Sequence, residues 1–295
     1  MDGIIIINKE KNWTSNDIVQ KLKGILHEKT GHTGTLDPLA TGVLPILVGK
    51  GTSLSKYLIN HDKEYVATIK LGEKTTTGDQ EGNVIEKRKV TDEMLDSKNV
   101  KYILEGFKGK QNQIPPIYSA IKVNGKKLYE YARSGKDVEV KPRSIEIFDI
   151  SLVSVKKGTR EIVYKVWCSK GTYIRSLCED IAEKLGTVGF MNELNRIRVG
   201  EFKIEEAVKI SEIVDGGELY KNNAIKERFI SIEKFLGNKE MIVLDNLKIR
   251  KFLNGVKIFS EKSDGVYRIY NENMVFIGSG SVENGRIKRD IIINF

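Results

Sequence analysis

Residues Ile4 to Ile7 are four consecutive isoleucines inside the stretch GIIIIN. A β-branched apolar run of this length suits a short buried strand, and it is far too short for a signal-peptide core or a membrane span. No later stretch approaches ~18 uninterrupted apolar residues, so a chain that is neither exported nor inserted in a membrane is expected. A turn and the segment TSNDIVQKLKGILHEK follow. Here Ser15 is placed to cap a helix, Asp17 falls in the first turn, and Ile18, Leu22, Ile25 and Leu26 make one apolar stripe. EYVATIKLG alternates strictly, with Tyr65, Ala67, Ile69 and Leu71 on one face, and reads as a strand that begins near Tyr65. REIVYKVWCSKGTYIRSLCEDIAEKLG reads as a strand and then a helix stopped by Gly186. Arg175 opens that helix, and Cys178 lies on its apolar stripe as a core residue rather than a nucleophile.

With 295 residues, two domains are expected, one large and one small. FLGNKEM near residue 237 marks the boundary, giving units of residues 1–237 and 238–295. The second unit, with its short strands split by Asn and Gly turns, reads as a small β-barrel. Between residues 108 and 145, roughly, the chain carries a loop-like basic and aromatic insert that includes QIPPIYSAIKVNGKKLYEYARSGKDVEVKPR. Lys and Arg outnumber Asp and Glu by 49 to 40, which favours a polyanionic partner. Two cysteines ten residues apart form neither a disulfide framework nor a zinc ribbon, and a reducing cytoplasm fits them.

The usual cofactor signatures fail. There is no GxxxxGK before Ser or Thr, GSGSVENG lacks the dinucleotide spacing, and the three histidines carry no zinc-deaminase pattern. A metal-free mechanism is left. GHTGTLDPLATGVLP contains a single carboxylate, Asp37, among glycine, threonine, proline and aliphatic residues. A carboxylate nucleophile must be positioned and sheltered from water, and Gly34, Pro38, Leu36 and Leu39 can supply a close approach, a fixed backbone and apolar walls. Taken locally, Asp37 reads more readily as an Asp-Pro turn opener than as a catalytic group.

The wider pattern favours chemistry. GHTGTLDPLATGVLPI, KEYVATIKLGEKTTTGDQEG, QIPPIYSAIKVNGKKLYEYARSG and CSKGTYIRSLCEDIAEKLG resemble, in order and spacing, the motifs of the bacterial tRNA pseudouridine-55 synthases, the TruB family, over roughly residues 3 to 200. The resemblance implies an α+β pseudouridine synthase fold, with a mixed, mostly antiparallel sheet flanked by helices, and a C-terminal PUA-like RNA-binding barrel. It also implies isomerisation of a uridine in the tRNA T-arm (U55), without cofactor. No obligate protein partner is evident in the sequence, and a monomer is expected.

By the same resemblance Asp37 is the nucleophile, with attack on C1', attack on C6 and a glycal route all open, and Arg175 holds its charge. Tyr65 stacks on the flipped base, Tyr173 lies near the scissile bond, and Leu194 completes the apolar pocket. His32 fills the space the base has left, and Asp79 supports the site. Lys9, which the resemblance counts with His32 and Asp79 among the substrate-binding residues, belongs to a motif in which the family has proline and glycine where this chain has Glu10 and Asn12. Asn tolerates the left-handed conformation, so the turn is expected to survive. Lys122, Lys126, Lys127, Arg133 and Arg143 are candidates for contacts to the RNA backbone. Two competing readings share these features: a noncatalytic tRNA-binding or RNA-folding module, and a base-excising glycosylase.

Overall fold

The computed structural model describes residues 1–119, 121–136, 138–215 and 225–293. The isoleucine run forms β1 (Gly3–Lys9), and its alternation explains its composition. Ile5 and Ile7 enter one apolar core while Ile4 and Ile6 enter another on the opposite face. A strand covered on both sides has no polar face to display, so its sequence does not alternate.

β1 leads to helix α1 (Ser15–Leu26), then β2 (Thr30–His32) and β3 (Thr41–Val48). The main sheet continues with β4 (Lys63–Leu71), β5 (Gly109–Gln113), β6 (Arg143–Lys156) and β7 (Glu161–Cys168). Helix α2 (Ile174–Lys184) and strand β8 (Gly189–Val199) follow. Across the sheet the order is Val208–Lys209, β1, β3, β8, β4, β7, β6, β5. Only the pairings of β1 with Val208–Lys209 and of β8 with β3 are parallel along this path, so the sheet is mixed and mostly antiparallel. The register sets Arg196 of β8 opposite Tyr65 of β4, and Cys168 of β7 opposite Lys63.

Two local expectations change. The cap of α1 is Thr14, not Ser15: the Asp17 amide donates to Thr14 Oγ1 and the Thr14 amide donates to the Asp17 carboxylate, a reciprocal capping box. Ser15 is instead buried, where its hydroxyl serves another segment. The basic insert is less loop-like than its composition suggests. Its flanks are β5 and the start of β6, and between them lie a short hairpin (Lys122–Val123 with Lys126–Lys127) and a helix (Leu128–Arg133). The turn after β1 survives as expected, with Asn12 at φ 69°. Glu10, where the family has proline, accepts from the amide and hydroxyl of Ser211 at 3.0 Å each.

Five strands between Met241 and Ile292 form a curled half-barrel around Phe252, Ile269 and Ile287. Tyr270, Phe276 and Ile291 of this unit share a core with Ile4, Ile6 and Leu47, so its sheet packs directly on the back of β1 and β3. Cys178 is fully buried beside Tyr164, 3.3 Å from its hydroxyl, and burial pushes its thiol up to about 12, as suits a core residue. Among the described residues no helix is long and apolar enough to cross a membrane, and no cluster of metal-ligating side chains occurs.

Candidate active site

The loop from Thr33 to Ala40 joins β2 to β3 and carries Asp37. Three separate elements hold it. From α1, Ser15 Oγ accepts from the Leu36 amide at 2.8 Å and donates to the Leu36 carbonyl at 3.2 Å. From the end of β1, Lys9 donates to the carbonyls of Trp13, Glu10 and Pro38 at 2.6, 3.1 and 3.2 Å, and the Asn12 amide also donates to the Pro38 carbonyl at 2.9 Å. From β8, Arg196 donates through Nε to the carbonyl of Val43 at 2.8 Å and through Nη2 to that of Gly34 at 3.0 Å, with a longer contact to Thr35. Glycine is required nearby at Gly42, whose φ is +107° and whose added Cβ would lie 2.2 Å from the Arg196 carbonyl oxygen. At Gly34 an added Cβ would meet only ordinary contact.

Arg175, in the first turn of α2, approaches Asp37 at 3.3 Å (Nε to Oδ2) and Asp79 at 3.6 Å (Nη1 to Oδ2). Its side chain is 8% exposed, and its remaining donors go to the carbonyls of Thr77 (3.2 Å) and Tyr118 (2.8 Å). Asp79 is held by the Thr77 hydroxyl and the Glu81 amide. Burial raises the Asp37 carboxyl above the usual range; Arg175 opposes that rise, Asp79 adds to it, and Lys9 opposes it. The net shift is upward, so Arg175 tempers the cost of the charge without cancelling it. Burial likewise brings Lys9 down to about 8 despite the attraction of Asp37.

Asp37 opens onto a cavity of about 740 Å³. Tyr65, Tyr173, Leu194, Arg175 and Arg143 also line it, so the fold gathers residues that span 157 positions of sequence between Asp37 and Leu194. Three other expected residues stand behind the wall. Lys9 is fully buried with its ammonium on three carbonyls, which makes it a loop anchor rather than a substrate contact. Asp79 is 3% exposed and reaches the cavity only through Arg175. His32 ends β2 outside the lining; its Nδ1 has no partner among the described residues, and burial together with Arg196 lowers its pKa. Lys122 and Lys126 are exposed on the hairpin, and Lys127 stands over the Tyr129 ring. The Arg133 side chain lies outside the described residues.

Two residues that local sequence does not single out complete the site. Arg196 is two positions beyond Leu194 on the same strand, so alternation alone could have placed it on the cavity face. Gln113 of β5 had no such signal: its amide accepts from the Tyr173 amide at 2.8 Å and donates to the Tyr173 carbonyl at 3.0 Å. Gln113→Leu should leave the Tyr173 amide without its partner, while the Tyr173 carbonyl keeps the Leu177 amide, and lower the stability by about 1–3 kcal/mol. The denaturant midpoint of the variant checks this.

The geometry supplies one carboxylate, a guanidinium that positions it, four tyrosines and a cavity open to solvent on one side, the parts needed for covalent chemistry on a flipped base. Among the described residues the wall carries five cations, Lys63, Arg143, Lys170, Arg175 and Arg196, against one acid, Asp37, which suits a polyanion.

Residues 22–174 match the TruB family pseudouridylate synthase (N terminal domain), residues 175–249 the tRNA pseudouridylate synthase B C-terminal domain, and residues 241–289 the pseudouridine synthase II TruB C-terminal region. The chain is 40% identical to a tRNA pseudouridine synthase B of Clostridium kluyveri, covering 98% of both. It is 41% identical to one of Francisella philomiragia, covering 97% of this chain and 93% of that one. Among solved structures, an H/ACA RNP bound to a substrate RNA containing 2'-deoxyuridine is similar in fold, with a TM-score of 0.67 at 22% identity, over 99% of this chain and 85% of that one. Sequence similarity across nearly the whole length, and a matching fold, place this chain in the TruB family of pseudouridine synthases.

Proposed function

We propose that the protein isomerises a uridine of the tRNA T-arm, U55, to pseudouridine, with Asp37 as the nucleophile. The observation that carries this reading is the Asp37 carboxylate at 3.3 Å from Arg175, opening onto a cavity that Tyr65 and Tyr173 also line. The reaction breaks the C1'–N1 bond, forms a C1'–C5 bond, releases the C5 hydrogen as a proton and returns a proton to N1. Atoms and electrons balance, and no cofactor is consumed. Tyr65 takes the flipped uracil by stacking, worth about 1–3 kcal/mol per base, and Tyr173 and Leu194 close the other sides. His32 occupies the gap in the RNA loop, and Lys9 and Asp79 keep Asp37 and Arg175 in place.

In this reading residues 1–237 carry the chemistry and 238–295 form a PUA-like RNA-binding unit, with the protein working as a cytoplasmic monomer on tRNA. The homologues' names support a tRNA substrate, and the excess of cations along the cavity supports a polyanionic one. Incubation with a tRNA transcript tritiated at C5 of uridine tests it: tritium should be released, with pseudouridine found at position 55. Release of free uracil would instead mark a glycosylase, and binding without release a noncatalytic module. No observation favours either alternative over isomerisation.

Lys122, Lys126, Lys127, Arg133 and Arg143 are assigned to the RNA backbone. Removing any one of the three hairpin lysines should weaken affinity for all T-arm sequences alike, and should lower the slope of log Kd against log salt by about one unit if it meets a phosphate. Filter binding across a salt series measures this.

A further inference from the structure

Lys63 opens β4 two positions before Tyr65, so the two side chains share the face of the strand that borders the cavity, about 7 Å apart along the chain. Lys63 is 9% exposed and lines the cavity, yet it forms no ion pair among the described residues. The neighbouring acids are engaged elsewhere: Asp62 faces Arg198, and Glu64 faces Arg198 and Lys165. The one acceptor found for the ammonium is the carbonyl of His61, which leaves donor capacity for two more hydrogen bonds. Cys168, opposite Lys63 across the strand pair, keeps a neutral thiol because burial pushes it up to about 12.

Buried Arg175 faces Asp37 and Asp79, but Arg196, the third buried cation of the wall, is bonded to carbonyls and, like Lys63, to no carboxylate. Two buried like charges without a counter-ion are costly in the free protein, and an entering anion relieves that cost. Lys63 accordingly sits at about 8, lowered by burial and then by Arg196 and Lys170, with Asp62 opposing.

We propose that Lys63 binds a phosphate adjoining the flipped nucleotide, fixing its backbone while its base lies on Tyr65. This rests on the base-flipping reading above. The ligand chemistry follows from the site: a compact, unpaired ammonium suits a phosphate oxygen, and one two-residue strand step from the stacking ring is of the order of the distance from a base to its own backbone.

The test uses full-length protein carrying Asp37→Asn, so that binding is not followed by conversion, and T-arm stem-loops in which the phosphate on the 5' or 3' side of the target uridine is replaced by a neutral methylphosphonate. One of the two neutral linkages should weaken binding roughly ten- to a hundred-fold when Lys63 is present, and by little when Lys63→Met is added. Equal losses with and without Lys63→Met, for both linkages, overturn the proposal. A second measurement covers the case in which Lys63→Met does not fold. Binding of the unmodified stem-loop near pH 8 should take up a proton as Lys63 becomes fully charged, and Lys63→Arg, which stays charged throughout, should lack that uptake. Uptake unchanged in Lys63→Arg overturns the proposal. The native protein is run alongside on a tritiated stem-loop: release there with equal losses rejects the role of Lys63 alone, whereas no release rejects the isomerase reading on which it stands.

Discussion

Asp37→Asn should abolish tritium release from C5-labelled tRNA, a loss on the order of 10⁴-fold or more, while binding of the T-arm stays close to that of the parent. The two effects separate because asparagine keeps the shape of the side chain and removes only its nucleophilic charge. Stability should not suffer. Burial already disfavours the Asp37 charge, and Arg175 keeps Asp79 and the carbonyls of Thr77 and Tyr118 as partners after the exchange. A melting midpoint at or above the parental value, together with lost turnover, is the expected pair of results. A variant that still releases tritium would remove Asp37 from the chemistry.

Arg175→Met should be damaging in two ways. It leaves Asp79, whose side chain is 5% exposed, and the half-buried Asp37 without the cation between them. Breaking a fully buried pair costs about 3–5 kcal/mol; since Asp37 is partly open to solvent, about 2–3 kcal/mol is expected here, read from the denaturant midpoint. The pH profile should move as well. As the proposed nucleophile, Asp37 must be ionised to attack, and its pKa already lies above the ordinary aspartate value, so its active fraction is full at high pH and falls as pH drops through that raised pKa. Removing Arg175 deletes the largest opposing influence and leaves the repulsion from Asp79, so the acid limb of kcat/KM should shift to higher pH. Arg175→Lys restores charge but not the fork that reaches two carboxylates and two carbonyls, and should recover the pH limb better than the rate. An unchanged acid limb in Arg175→Met would show that Arg175 does not tune Asp37.

Some of this site was legible residue by residue. Strict alternation in EYVATIKLG set Tyr65 on a buried face, and the helical stripe of IRSLCEDIAEKLG placed Arg175 in a first turn. The tolerance of Asn for the left-handed region explained how the turn after β1 does without glycine. The errors have equally local causes. Ser15 looked like a cap because capping needs only a hydroxyl before a helix; which of two adjacent hydroxyls caps depended on Leu36 offering its backbone to the other. The family resemblance assigns Lys9 to substrate binding, and only the return of the loop over β1 shows its ammonium held on three carbonyls.

What the sequence determined by itself was the kind of strands and helices, the identity of the lone acid and, through four ordered motifs, the family. These rest on periodicity and on residue types, which are written along the chain. Tertiary structure alone decided that Gln113 of β5 grips the Tyr173 peptide, that Arg196 and Lys63 line one cavity with Asp37, and that the Asp37 carboxyl is shifted upward despite its arginine. Each of those depends on which strands become neighbours and on how much water their packing excludes, and neither quantity exists until the sheet has formed.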